Sequence, residues 1–231
     1  SIASMEGKMR FNTALLHSNI MGDENTGATL TPIYQSSAFY QTSAEQHEKL
    51  FNNKATGFSY TRINNPTVLA FENRMSSLEN GLVSVACASG MAAITNALLN
   101  IVCAGQEIIA STSLYGGSID VFHDFEAFGI KTVFVDISDE EAVRAAINEN
   151  TRVIFAETIG NPKLDVVDIE KLSKLAHEYG LPLVMDNTVA TAYLVKPIDF
   201  GADIVVNSTS KYINGNSNSI SGVITDSGRF K

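Results

Sequence analysis

The amino-acid sequence predicts an α/β fold in which helices cover both faces of a mostly parallel sheet. From residue 81 onward, short apolar segments alternate with longer segments whose apolar residues have helical spacing, and this alternation is typical of parallel sheets with helical crossovers. The short segments are apolar at successive positions, as expected for strands buried on both faces. Gly180 and Pro182 follow the last helical pattern, and both residue types end helices.

The candidate strands and helices occupy most of the chain after residue 66. The predicted strands are residues 83–86, 107–110, 131–135, 153–156, 183–185, 204–206 and 221–226. The predicted helices are residues 67–80, 91–102, 118–128, 140–148 and 169–179. Residues 44–51 are a shorter helix candidate.

The first 60 residues show little periodicity. Thr31 precedes Pro32, and a following proline favours extended backbone, so residues 31–35 should be extended. The segment has too little apolar surface to fold alone. We therefore expect it to wrap around its own domain or around another subunit.

Composition excludes several classes of protein. The chain of 231 residues is 45% hydrophobic and 18% charged, which is ordinary for a globular protein, and its net charge of −9 argues against a nucleic-acid partner. No apolar run has the length of a transmembrane helix, and the first residues lack the pattern of a signal peptide. Cys87 and Cys103 lack metal-ligand spacing, and no histidine clusters with them. We therefore expect no metal site and a reduced, cytoplasmic setting.

A lone lysine near the end of the sequence is the strongest candidate for chemistry. Lys211 follows the apolar strand 204–206 and two hydroxyl residues, Ser208 and Ser210. If the strand carries Lys211 into the interior, burial disfavours its charged form, and the free amine can form a Schiff base. The alternative is an ordinary surface lysine, because lysine is seldom buried.

Two further segments place polar groups at the ends of predicted strands. Ser89 and Gly90 form a strand-to-helix turn, whose free amides would bind a phosphate, although Ser89 could equally be a plain N-cap. Asp186 directly follows the strand 183–185, where ligands collect in open α/β sheets. A buried carboxylate there needs a cationic partner, but Asp186 could instead cap the following turn.

Two aromatic segments complete the set. Arg62, with Tyr60 nearby, lies on an irregular segment and could grip a phosphate through its forked guanidinium, or be an unremarkable surface arginine. Tyr115 precedes two glycines, so its ring could face a planar ligand or pack on its own core.

Together these residues describe a pyridoxal phosphate site. Lys211 supplies the Schiff-base amine, Asp186 a partner for the pyridinium nitrogen, and Tyr115 a surface for the flat ring. The phosphate would be bound by Ser89, Gly90, Ser208, Ser210 and Arg62. The glycine fingerprints of dinucleotide sites and P-loops are absent from the sequence, which disfavours a nucleotide-binding oxidoreductase.

From about Phe11 to its end the sequence resembles the Cys/Met metabolism family of pyridoxal phosphate enzymes. The resemblance implies the fold-type I, aspartate-aminotransferase-like architecture. Within the family, segments 160–170 and 221–230 look most like O-acetylhomoserine sulfhydrylases. The motifs that carry the family resemblance are residues 32–35, 60–67, 88–92, 115–117, 157–162, 186–188 and 208–212.

The resemblance also implies roles for individual residues. Lys211 would hold the cofactor covalently and carry protons, Asp186 would keep the ring nitrogen protonated, and Tyr115 would stack on the ring. Asn161 would lie beside the phenolic oxygen. The phosphate ligands would be Ser89, Gly90, Met91, Ser208 and Ser210, joined by Tyr60 and Arg62 from the neighbouring subunit.

The implied activity is γ-replacement on O-acetylhomoserine with sulfide or a thiol, giving homocysteine or methionine, a trans-sulfuration step of methionine biosynthesis. Methionine γ-lyase and cystathionine γ-synthase or γ-lyase remain alternatives. Residues 1–60 would be an extended arm on a neighbouring subunit of a homodimer or homotetramer with shared active sites. Residues 61–231 would be the cofactor-binding large domain, ending before the small C-terminal domain of the family. A cofactor-binding fragment without catalysis is therefore the alternative of another class.

Two positions depart from the family pattern. Asn216 follows Gly215 where the family usually has histidine, and Ala192 stands where relatives commonly have proline. Both departures bear on substrate preference more than on the chemistry.

Overall fold

The computed structural model describes residues 9–19 and 22–230. The chain divides into two compact units, Ser1–Arg74 and Met75–Lys231. Residues 1–8 and 20–21 of the predicted arm lie outside the described residues.

The first unit contains short helices joined by chain that forms turns, bends and isolated bridges. Helix α2 (Ala44–Phe51) has the predicted bounds, and the Ser43 side chain caps it by accepting from the backbone N of Gln46. Helix α1 (Phe11–His17) was not predicted, and it has no buried residue. Residues 31–35 belong to no helix or strand, and their extended conformation stays a prediction. The Thr67 hydroxyl accepts from the Tyr34 backbone N at 2.9 Å and so ties this stretch to the next helix.

The second unit is built on a seven-stranded sheet with the order β1-β7-β6-β5-β4-β2-β3. Strand β7 pairs antiparallel with both β1 and β6, and the other pairs are parallel. The prediction of a mostly parallel sheet is therefore confirmed. The strands are β1 (Val83–Cys87), β2 (Glu107–Ser111), β3 (Lys131–Val135), β4 (Thr151–Glu157), β5 (Leu183–Asp186), β6 (Ile204–Asn207) and β7 (Gly222–Asp226).

The helices are α3 (Pro66–Glu79), α4 (Gly90–Leu99), α5 (Gly116–Glu126), α6 (Glu140–Ala146), α7 (Ile169–Glu178), α8 (Thr191–Leu194) and a 3-10 helix (Pro197–Phe200). Helix α6 ends earlier than predicted because Ile147 is already extended. The last two helices escaped prediction because four residues are too few to show a period. No helix in the described part of the chain is long and apolar enough to cross a membrane.

Alternate residues of the central strands face two separate cores. Ile108 and Phe155 pack in one cluster with residues of α4 and α5, such as Phe122. Their strand neighbours Ile109 and Ile154 pack in the other cluster, which contains residues of α6 and α7. Because side chains alternate along a strand, this division places helices on both faces of the sheet.

A buried glutamate joins the ends of two central strands. Glu79, the last residue of α3, is 0% exposed, and its Oε1 accepts from the side-chain amides of Asn207 at 3.0 Å and Asn187 at 3.4 Å. Glu79 Oε2 and Asn207 Oδ1 have no hydrogen-bond partner within the described residues. Burial raises the pKa of Glu79 to about 7, against the opposing effect of the two amides. The neutral acid, which adds an O–H donor, suits this cluster better than the carboxylate.

The Glu79→Gln variant should remove a pH dependence from the stability of the fold. The folded-state pKa of Glu79 is raised, so the wild type keeps full stability below about pH 4.5 and loses stability as the pH rises through about 7. Relative to the wild type, Glu79→Gln should therefore gain about 3 kcal/mol in free energy of unfolding between pH 4 and pH 8. Urea unfolding at several pH values measures this difference.

Glu149→Gln is the matched control, because Glu149 is exposed, and its stability difference from the wild type should not change with pH. If the Glu79→Gln difference is equally flat, the carboxyl group does not titrate in the way its burial requires.

Candidate active site

The predicted site residues of the second unit follow strands that end at one edge of the sheet. Strands β2, β4, β5 and β6 run parallel, and β1 runs in the same direction because β1 and β6 are both antiparallel to β7. Ligands bind at the carboxyl ends of strands in such sheets. The residues at this edge are Ser89, Gly90, Met91, Tyr115, Asn161, Asp186, Ser208, Ser210 and Lys211.

The turn before α4 lies against the turn after β6. A Cβ atom on Gly90 would lie 2.4 Å from Cβ and 2.8 Å from Cα of Ser208, so only glycine permits this approach. A Cβ on Gly222 would lie 2.1 Å from the Ser89 carbonyl oxygen, which closes the other side of the turn. Ser89 caps α4 by accepting from the backbone N of Ala92 at 3.0 Å. Met91 follows Gly90 and packs against the core cluster that contains residues of α4 and α5.

The two hydroxyl residues before Lys211 differ in their bonding. The Ser210 hydroxyl donates to the Ser221 carbonyl at 3.1 Å and accepts from its backbone N at 2.9 Å. The Ser208 backbone N donates to the Thr188 hydroxyl at 2.8 Å, but its own hydroxyl has no partner among the described residues. Ser208 Oγ is therefore available to a ligand beside the N-terminus of α4.

Lys211 is exposed, so the prediction that its strand carries it into the interior is wrong for this chain. Strand β6 ends at Asn207, and Lys211 lies in the turn that follows. Its backbone N donates to the Ser208 carbonyl at 3.3 Å. No carboxylate pairs with its amine within the described residues, which leaves that amine accessible at the sheet edge.

Asp186 ends β5 and is partly buried. Its Oδ1 accepts from the backbone N of Thr188 at 2.9 Å and from the Thr188 hydroxyl at 2.5 Å, which fulfils the alternative that Asp186 caps its own turn. Its Oδ2 accepts no hydrogen bond within the described residues. Burial raises the pKa of Asp186, against the effect of both Thr188 bonds. A cation at Oδ2 would offset that burial cost.

Glu157 fixes the backbone of two predicted site residues. It ends β4, lies opposite Asp186 in the parallel register, and is 5% exposed. Its Oε1 accepts from the Tyr115 backbone N at 2.7 Å, and its Oε2 from the Asn161 backbone N at 3.2 Å. Tyr115 is 50% exposed. A Cβ on Gly117 would lie 2.6 Å from its Cε1 atom, so this glycine makes room for the ring.

Tyr60 and Arg62 belong to the first unit. Both are exposed, and the Arg62 guanidinium lies over the Tyr60 ring at 5.2 Å from its centroid. Tyr60 is anchored by an isolated β-bridge to Ala38. The pair therefore presents a cation and a phenol together on the surface of its unit.

Sequence reasoning assigned no role to three residues that support the site. Glu157 follows an apolar strand as Asp186 does, so the same rule could have selected it. Thr188 connects Asp186 to Ser208 through its hydroxyl, and a threonine two residues after an aspartate gives no distinctive pattern. Glu79 ends a helix, where a surface glutamate would look the same.

The arrangement fits pyridoxal phosphate in its donor set. The free amides at the start of α4 and the unbonded Ser208 hydroxyl suit a phosphate. The Asp186 oxygen without a donor suits a protonated ring nitrogen, and the accessible Lys211 amine suits a carbonyl carbon. In the described part of the chain, no group of three His, Cys, Asp or Glu side chains could hold a metal ion.

Curated relatives match almost the whole chain. It is 46% identical over 228 residues to an O-acetyl-L-homoserine sulfhydrylase of Leptospira meyeri, a match that covers 98% of this chain and 52% of the relative. It is 43% identical over 220 residues to an L-methionine gamma-lyase of Fusobacterium nucleatum subsp. polymorphum, which covers 94% of this chain and 55% of the relative. The chain thus spans about half the length of the curated relatives it matches.

A solved structure agrees with the fold. A crystal structure from Campylobacter jejuni subsp. jejuni, of a candidate O-acetylhomoserine (thiol)-lyase with a pyridoxyl-lysine monophosphate residue, matches with a TM-score of 0.93 at 32% identity. The match covers 96% of this chain and 55% of that chain. The predicted fold-type I architecture is therefore confirmed.

The family model described as Cys/Met metabolism PLP-dependent enzyme matches residues 12–231. This range contains every predicted site residue. The chain belongs to that family of pyridoxal phosphate enzymes.

Proposed function

We propose that the full-length protein is a transferase that replaces the γ-substituent of O-acetylhomoserine with sulfide or a thiol, giving homocysteine or methionine. The observation that carries the proposal is the Asp186–Thr188–Ser208 connection. It links Asp186, whose Oδ2 accepts no hydrogen bond within the described residues, to the turn that bears Lys211. The similarity to an O-acetyl-L-homoserine sulfhydrylase supports this substrate class.

The phosphate of the cofactor would be held between two turns. Ser89, Gly90 and Met91 supply the amides at the N-terminus of α4, where the helix dipole and free N–H groups favour an anion. The Ser208 hydroxyl has no competing partner within the described residues. The Ser210 hydroxyl is shared with Ser221, so it would have to exchange one of these bonds to reach the phosphate.

Three residues would orient the ring. Asp186 would pair with the ring nitrogen and keep it protonated, Tyr115 would cover one ring face, and Asn161 would lie beside the phenolic oxygen. When bound, the group withdraws electrons from the carbon atoms of an attached amino acid, which acidifies their hydrogens. Asp186 assists because a carboxylate beside the ring nitrogen favours its charged form.

Lys211 would move the protons. Lys211 Nζ would accept the proton from Cα of the substrate and would then shift a proton at Cβ. Overall, the bond between Cγ and the acetate oxygen would break, and a bond between Cγ and sulfur would form. The thiol would lose its proton as acetate leaves, so that the charges balance.

The first unit would act on a neighbouring subunit. Residues 1–60 would form an arm on that subunit, and Tyr60 and Arg62 would reach its phosphate, while residues 61–231 form the cofactor-binding large domain. Ile33 is 83% and Tyr40 is 93% exposed, which leaves apolar surface for such a contact. A homodimer or homotetramer in the cytoplasm is part of the proposal, and neither Cys87 nor Cys103 forms a disulfide within the described residues.

Methionine γ-lyase is the second candidate, because a relative with that name is 43% identical. The holoenzyme should form homocysteine from O-acetylhomoserine in proportion to added sulfide. Each substrate is assayed alone and with sulfide. Release of methanethiol from methionine, without any sulfide-dependent product, would favour the lyase and contradict the transferase.

The Lys211→Ala variant should lose turnover by a factor of about 10² to 10⁴, because the group that moves the protons is gone. Steady-state rates with O-acetylhomoserine and sulfide measure the loss. Lys174→Ala is the control, since Lys174 pairs with Glu170 on the exposed face of α7. Turnover of Lys211→Ala within about tenfold of the wild type, or about 1.4 kcal/mol in the barrier, would exclude this role.

The Gly90→Ala variant should weaken binding of pyridoxal phosphate by at least about tenfold. Its Cβ would lie 2.4 Å from Ser208 Cβ, so the two phosphate-binding turns must separate. Gly116→Ala is the matched control, because Gly116 also begins a helix and a Cβ atom added there would meet nothing within 4 Å. Absorbance titration of the apoprotein measures the affinity of each variant for pyridoxal phosphate. Equal affinities of the two variants would contradict binding of the phosphate at this turn.

A further inference from the structure

The two carboxylate oxygens of Glu157 accept hydrogen bonds from the backbone of two different loops, and neither oxygen has a part in the proton transfers proposed for Lys211. We propose that Glu157 is a positioning residue, which sets the separation of Tyr115 and Asn161 by accepting a backbone hydrogen bond from each. The inference rests on the proposed function, in which Tyr115 covers the ring face and Asn161 meets the ring edge.

The contacts of Glu157 link two separate loops. Tyr115 lies 42 residues before Glu157 in the loop after β2, and Asn161 lies four residues after it in the loop after β4. Each carboxylate oxygen accepts from one of these loops, at 2.7 Å and 3.2 Å. The Tyr115 ring is 50% exposed and Asn161 is also exposed, so packing around their side chains does little to hold them. The backbone bonds to Glu157 are therefore the contacts that fix the two residues relative to each other.

The geometry requires a carboxylate of this length. Glutamine offers only one accepting oxygen, so its amide group would face one of the two N–H donors. Aspartate keeps both oxygens but is one methylene shorter, so it cannot reach both loops from the same strand position. Glutamate alone among the acidic and amide side chains can accept from both loops here.

Keeping a carboxylate at this place is costly. Burial raises the pKa of Glu157 to about 7, the backbone N–H of Tyr115 opposes that rise, and repulsion from Asp186 adds to it. Asp165 repels Glu157 as well. A buried acid that stands beside another acid at a ligand-binding edge is typical of functional sites.

The loops have a second connection that should preserve the fold when Glu157 is changed. The Ser113 hydroxyl donates to Asp165 Oδ1 at 2.5 Å, and the Gly160 backbone N donates to the Asp165 carbonyl at 2.9 Å. Loss of Glu157 should thus shift Tyr115 and Asn161 without releasing the loops.

Glu157→Gln and Glu157→Asp test the proposal in the full-length protein, with Glu149→Gln as the charge-matched surface control. Three properties are measured: the dissociation constant of pyridoxal phosphate, the visible circular dichroism per bound cofactor, and the urea midpoint. We expect both Glu157 variants to bind about tenfold more weakly and to show reduced visible circular dichroism at saturation, because the ring is held differently. Glu149→Gln should match the wild type.

Each other outcome is decisive. If Glu157→Asp keeps the wild-type affinity and circular dichroism, the negative charge of Glu157 matters and the length of its side chain does not. The proposal that Glu157 positions Tyr115 and Asn161 is then wrong. A lowered urea midpoint with unchanged cofactor properties would make Glu157 a purely structural residue. A wild-type protein that binds no pyridoxal phosphate would overturn the proposed function itself, which is a different result from equal binding by wild type and variants.

Hydrogen exchange on the wild type needs no variant. The backbone amides of Tyr115 and Asn161 should exchange slowly, because each donates to a buried carboxylate. Exchange of both at the rate of exposed loop amides would overturn the proposal even if the variants fail to fold.

Discussion

The parallel register of β4, β5 and β6 is the constraint on which the site depends. Glu157 lies opposite Asp186, and Asp186 lies opposite Val206. This register brings three strand ends to one level, so that residues far apart in the sequence can share hydrogen bonds. The Thr188 hydroxyl uses that proximity when it donates to Asp186 and accepts from the Ser208 backbone. A slip of one residue would turn Asp186 to the opposite face of the sheet.

Buried acids surround these strand ends on more than one side. Glu79 bonds Asn187 and Asn207, the residues directly after Asp186 and directly before Ser208. Glu157 bonds the loops that carry Tyr115 and Asn161. Burial raises the pKa of Glu79, Glu157 and Asp186 alike. The site therefore concentrates carboxyl groups whose charge is disfavoured, a condition that a cationic ring nitrogen next to Asp186 would relieve.

Sequence patterns predicted the sheet well because its strands are apolar on both faces and its helices have one apolar stripe. They also selected Asp186 and Ser208 from their positions after strands. The burial of Lys211 was predicted wrongly, because a strand pattern does not tell how far the chain continues beyond the sheet edge. The position of Glu157 after an apolar strand could have selected it too, but its bonds to the backbone N–H groups of Tyr115 and Asn161 could not be predicted, because backbone partners leave no trace in residue identity. Helix α8 was missed because its four residues are too few to show a helical period.

The most direct test of the central claim is to locate the covalent attachment of the cofactor. The holoenzyme is treated with borohydride, which fixes pyridoxal phosphate to the amine that holds it, and the digested protein is examined by mass spectrometry. We expect the phosphopyridoxyl mass on the peptide that contains Lys211. Its absence from that peptide, or its presence on another lysine such as Lys196, would contradict the assignment of the site to the carboxyl edge of β5 and β6.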